Sequence, residues 1–133
     1  RKLSYDPLVD FDPITNAFFG QQIIILNKNV PVNTFAELVD YSKQNPDKLN
    51  FASMGLGGDS HLLIEWLKYT TGAKIAHVPF KGFPEAMTSF SGNNVQIIAL
   101  LVGNPDLARQ VVDGEVKGLL LPGSKRSQLV PDE

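Results

Sequence analysis

Apolar residues along this chain fall into two kinds of run, and the two kinds alternate. Continuous stretches at 22–27, 49–53, 75–80, 95–102 and 116–121 have the length and composition of short strands. The first, Gln22 to Asn27 with Ile23-Ile24-Ile25-Leu26 inside it, has no polar side and fits a strand covered on both faces. Between these runs the apolar positions are spaced for helices. Thr34-x-x-Glu37 is a capping box, Phe35, Leu38 and Val39 follow on one face, and Pro46 sets the limit. A second helix over 60–71 carries Leu62, Leu63, Trp66 and Leu67 and stops at Gly72. Pro84 suits a first helical position, with Ala86, Met87 and Phe90 behind it and Gly92 as the stop. Asn104-Pro105 opens a fourth helix with Leu107, Ala108, Val111 and Val112 inward and Gly114 at its end.

Strand and helix in alternation, with short connections, predict an α/β fold: a mostly parallel five-stranded sheet with helices on both faces, the run 95–102 at its centre. In such sheets ligands sit outside the carboxyl ends of the strands.

Composition narrows the class without naming a function. At 133 residues, 43% hydrophobic and 20% charged, the chain has the size and content of one globular domain. A net charge of −2 without a basic patch gives no footprint for nucleic acid. No apolar run approaches the roughly 18 residues of a membrane-spanning helix. With no cysteine, thiol catalysis and cysteine-based zinc sites are excluded. His61 and His77 lie on different elements and do not have metal-ligand spacing, so no metal or cofactor is expected. Ser60 and His61 are adjacent, which on a helix turns them about 100° apart and leaves no nucleophile and base facing each other. No catalytic set remains.

The stretch with the most specific chemistry is Ser53-Met54-Gly55-Leu56-Gly57-Gly58-Asp59-Ser60-His61, between the second strand and the second helix. Glycines let the backbone approach a ligand, and the first turn of a helix offers unpaired N–H groups with partial positive charge. A carboxylate or phosphate suits such a corner. The loop Phe80-Lys81-Gly82 ends the next strand at the same edge, and either Phe80 or Lys81 has a route to a ligand there. His77, inside an expected buried strand, reads as a core histidine, and Trp66, Tyr69 and Phe90 read as helix core. The glycine spacing departs from the dinucleotide fingerprint, because Ser60 stands where its third glycine would be. A cytosolic nucleotide- or flavin-binding enzyme domain and the effector-binding lobe of a transcription regulator stay open as alternatives to a binding protein.

Several segments together carry a family resemblance. Tyr5-Asp6-Pro7 with Asp10-Phe11-Asp12-Pro13, Asn33-Thr34-Phe35-Ala36-Glu37-Leu38, Leu49-Asn50-Phe51-Ala52-Ser53-x-Gly55-x-Gly57, His61-Leu62, His77-Val78-Pro79-Phe80-Lys81-Gly82 and Lys125-Arg126-Ser127 with Pro131-Asp132 resemble the Bug family. These are periplasmic solute-binding proteins of tripartite tricarboxylate transporters.

The resemblance implies one lobe of a type II periplasmic binding fold, closing with a second lobe over a small carboxylate and delivering it to membrane permease subunits. On that reading residues 1–20 are an inter-domain connection, 21–122 the ligand-binding lobe and 123–133 the start of a return to a missing lobe. The implied ligand-binding residues are Ser53, Gly55, Gly57, Gly58, Asp59, Ser60 and His61, with Phe80 and Lys81 nearby. Family members usually carry Ser or Thr at Gly58 and a small neutral residue at Asp59, so Asp59 is expected to turn away from an anion and cap the helix, bonding N–H groups one or two residues on. An isolated lobe with the Phe18-Phe19 segment uncovered is expected to self-associate.

Overall fold

The computed structural model describes residues 3–6, 8–15, 20, 22–101, 110 and 113–120. Among them are five strands and three helices in the order β1 (Gln22–Asn27), α1 (Phe35–Gln44), β2 (Asn50–Ser53), α2 (Asp59–Thr71), β3 (Ala76–Pro79), α3 (Phe83–Ser91), β4 (Ile97–Leu101) and β5 (Val116–Leu120). Most of the expected fourth helix, the Phe18-Phe19 segment and the tail 123–133 fall outside the described residues.

Local signals act as the sequence predicts. The Thr34 hydroxyl accepts the Glu37 amide at 3.2 Å, and the Glu37 carboxylate reaches back to the Asn33 amide at 2.7 Å, so the capping box closes one residue early. Gly72 ends α2 in the left-handed region at φ 72°. Gly92 ends α3 at φ −77°, and the left-handed conformation falls to Asn93 at φ 58°.

The strands form one sheet in the order β3-β2-β4-β1-β5. β4 is central, as its apolar run predicts. β2 pairs in parallel with both β3 and β4, whereas β1 runs antiparallel to both β4 and β5. The expected mostly parallel sheet is therefore a mixed one, four strands sharing a direction and β1 reversed between two of them. An apolar run covered on both faces reads the same in either direction, so the reversal carries no sequence signal. Its consequence is spatial: Gln22, the first residue of β1, lies opposite Leu101 at the carboxyl edge of β4.

Alternation along each strand divides two cores. Ile24, Leu26, Phe51, Ile97 and Ala99 pack with Leu38 and Val39 of α1 and Ile64 and Leu67 of α2. Ile23, Ile25, Ala52 and Ile98 point the other way and pack with Ala86 and Phe90 of α3. Helices thus cover both faces, as expected.

Two expectations fail. β3 is an edge strand with its residues half-buried or exposed, and Pro79 sits where a strand has no further partner to supply. α2 turns Ile64 and Leu67 inward, which leaves Trp66 57% and Tyr69 89% exposed, so only Phe90 of the three expected core aromatics is in the core. Burial sets the energetic contrast. Phe51→Ala should cost about 3–5 kcal/mol in urea-induced unfolding, and Trp66→Ala less than about 0.5 kcal/mol. An equal loss for both would show that a further surface covers the outer face of α2.

Candidate functional site

The carboxyl ends of β2, β3 and β4 and the amino end of β1 meet at one edge of the sheet, and the glycine loop crosses that edge. Gly55 at φ 120° and Gly57 at φ 79° hold conformations that side chains disfavour, and a Cβ at either would meet only open space. Backbone conformation, not crowding within the protein, calls for glycine at these two positions.

The loop is fastened from below by side chains. Ser53 is fully buried; its hydroxyl donates to the Gly55 carbonyl at 3.1 Å and lies within hydrogen-bond distance of His77 Nε2. With the serine proton committed to Gly55, the consistent assignment has His77 donating to the Ser53 oxygen. The Gly57 amide donates to His61 Nδ1 at 2.9 Å, so that nitrogen carries no proton. The two imidazoles stack with centroids 4.1 Å apart and planes 22° from parallel. A carbonyl on one side of the loop and an amide on the other are therefore both held by one stacked pair and the serine beneath it. His77 is thus half-buried and engaged, in place of the expected core residue. The Phe80 amide donates to the Ser53 carbonyl at 2.8 Å, which ties the loop after β3 to the same edge.

The first turn of α2 is only partly satisfied. Gly58 is the N-cap and supplies no side-chain bond. The Ser60 amide bonds Asp59 Oδ1 at 2.8 Å and the Leu62 amide bonds the Gly58 carbonyl at 2.9 Å. Among the described residues, the amides of Gly58, Asp59 and His61 have no protein acceptor. Asp59 thus bonds one amide, one residue on as expected, but from the first helical position, the cap position itself being Gly58. Its other oxygen accepts from Gln22 Nε2 at 2.7 Å, a contact that exists because β1 is reversed.

Beside this turn is a pocket of about 290 Å³ walled by Gln22, Met54, Asp59, Ser60, Phe83 and the β4 residues Ala99, Leu100 and Leu101. Ser60 is only 3% exposed, and its hydroxyl has no partner among the described residues. No sealed side-chain polar atom among those residues lacks a hydrogen bond, so this hydroxyl opens onto the pocket. A larger hollow of about 540 Å³ lies at the amino end of β3, lined by residues that include the ion-paired Glu65 and Lys68. It shares no residue with the glycine corner and offers no open helix start, so the smaller pocket is the stronger candidate.

Of the nine residues singled out in the sequence, only Asp59 and Ser60 wall the pocket; Gly55, Gly57, Gly58 and His61 belong to the adjoining loop and first helical turn but are not on its wall. Ser53 is beneath the loop, Phe80 packs against the core under α3, and exposed Lys81 is not on the wall. Gln22, Met54, Phe83 and Leu101 are additions that sequence reasoning missed. The strand order brings Gln22 beside Leu101, α3 begins at Phe83, and Met54 follows directly on the end of β2.

The model of the tripartite tricarboxylate transporter receptor family matches residues 1–133. This chain belongs to that family. A relative from Cupriavidus necator, a UPF0065 protein in the gbd 5' region, is 32% identical over 98% of this chain and 39% of its own length. The solved periplasmic binding protein BugD superposes with a TM-score of 0.75 at 31% identity, over 85% of this chain and 37% of its own. An R. palustris protein solved with adipate gives a TM-score of 0.76 at 28% identity, over 95% of this chain and 42% of its own. The chain thus spans about two fifths of the length of these relatives. Its fold is that of type II periplasmic binding proteins, and its family is one of receptors, not an enzyme class.

Partial burial pushes the His77 imidazole below its ordinary value of 6.5, His61 and Lys68 lower it further, and Glu65 opposes them. The unfolded chain then binds a proton that the folded chain refuses. Stability is full at high pH and falls as pH drops through about 6.5, levelling off below the lowered value. Thermal unfolding across that range should show the loss, and His77→Gln should flatten it. An unchanged slope in the variant would remove His77 as the cause.

Proposed function

We propose that this chain supplies one jaw of a periplasmic solute receptor that grips a small carboxylate without altering it and presents it to a membrane permease. The supporting observation is the first turn of α2, where three amides have no protein acceptor among the described residues and the unpaired Ser60 hydroxyl adjoins a pocket. A carboxylate accepts several hydrogen bonds at once and is favoured by the positive end of a helix. Gly55 and Gly57 shape the rim, and Ser53 with the stacked histidines keeps it in place. Family membership and the relative solved with adipate support the same reading. Asp59 and Gln22 complete the polar wall, and the Phe80 amide ties the loop after β3 to the Ser53 carbonyl. A second lobe would supply the opposing jaw.

The test is calorimetric titration of the complete gene product with adipate and with shorter and longer carboxylates. Saturable binding of at least one carboxylate, weakened about tenfold or more by Ser60→Ala, is the expected result. Binding of a nucleotide or flavin with no response to any carboxylate would contradict the proposal.

A further inference from the structure

We propose that the ligand carries an ammonium group as well as a carboxylate, and that Asp59, steadied by Gln22, receives the ammonium. The inference rests on the receptor reading above and narrows its ligand to small aminocarboxylates with an apolar body.

The pocket has two polar characters side by side. The Ser60 hydroxyl on its wall, with the acceptor-free amides of the adjoining helix start, offers donors suited to a carboxylate. Asp59 and Gln22 are acceptors. Asp59 takes one bond from the Ser60 amide and one from Gln22 Nε2, at 2.8 and 2.7 Å. An ionised carboxylate has about four acceptor sites, so this one keeps capacity for a donor from the ligand. Because the Gln22 nitrogen is committed to Asp59, the same amide has its carbonyl oxygen left to accept.

An acid at a helix start needs no such support. The Ser60 amide alone would satisfy the helix, yet a strand residue 37 positions away also bonds this carboxylate and restrains it at the pocket wall. No basic side chain is on that wall among the described residues. A second carboxylate placed against it would meet Asp59 with no compensating charge. An ammonium in the same place meets opposite charge and free acceptor sites. The remaining walls, Met54, Phe83, Leu100 and Leu101, suit an apolar body.

The test compares matched pairs on the complete gene product by calorimetry: leucine against isocaproate, and glutamate against glutarate. Each pair differs only by the ammonium. At least one aminocarboxylate should bind about tenfold or more tightly than its partner. Asp59→Asn, which keeps an oxygen for the Ser60 amide, should abolish that preference while the melting temperature stays within a few degrees. If the plain acids bind as tightly as or more tightly than the amino forms, or if Asp59→Asn leaves the ratio unchanged, this inference fails and the receptor reading stands. If no carboxylate of either kind binds, both fail.

Discussion

The start of α2 keeps its amides open because the loop before it is tied down by other means. A flexible glycine loop could fold back and fill those amides with its own carbonyls, and nothing in glycine prevents that. Here the Gly55 carbonyl is taken by the buried Ser53 hydroxyl, the Gly57 amide is taken by His61, and His77 supports both through Ser53 and the ring stack. The chain's two histidines and the buried Ser53 thus serve to place backbone. A rigid set of donors lowers the conformational-entropy cost of holding a ligand, and a loop tied down in this way is a rigid one.

The sheet sets where those donors sit. β2 is buried between β3 and β4, and both faces of the sheet are sealed by helices, so the end of β2 has little freedom to shift. β1, inserted in reverse, contributes its first residue to the edge where its neighbours contribute their last. A strand that adds to the core thereby also adds a polar side chain to the pocket. Exposed Leu56, Leu101 and Phe83 frame the same edge, a distribution that suits closure against a second apolar and polar surface.

Much of this was legible in the sequence, for identifiable reasons. The capping box at Thr34, the stop at Gly72 and the glycine corner are local signals, and each depends on residues within a few positions of one another. Strand direction is not local. The apolar run of β1 would suit either orientation, so Gln22 could not be placed at the site from the sequence. The edge position of β3 is masked in the sequence because Ile75 to Phe80 is largely apolar, although Pro79 is a cue for an edge. Trp66 and Tyr69 read as core in the sequence because α2 is apolar on more than one side, and only the sheet selects Ile64 and Leu67 as the buried face. Asp59 was expected at the cap; Gly58 takes that position, and the carboxylate one residue later is free to reach Gln22.

The proposed grip requires the amides of Gly58, Asp59 and His61 to meet the ligand directly. Amide proton and nitrogen shifts of the isotope-labelled complete gene product, followed while a binding carboxylate is titrated in, address this most directly. The account predicts that these three amides move furthest downfield and lose solvent exchange together as the site fills. If they stay unmoved at saturation while amides elsewhere shift, the helix start is not the grip.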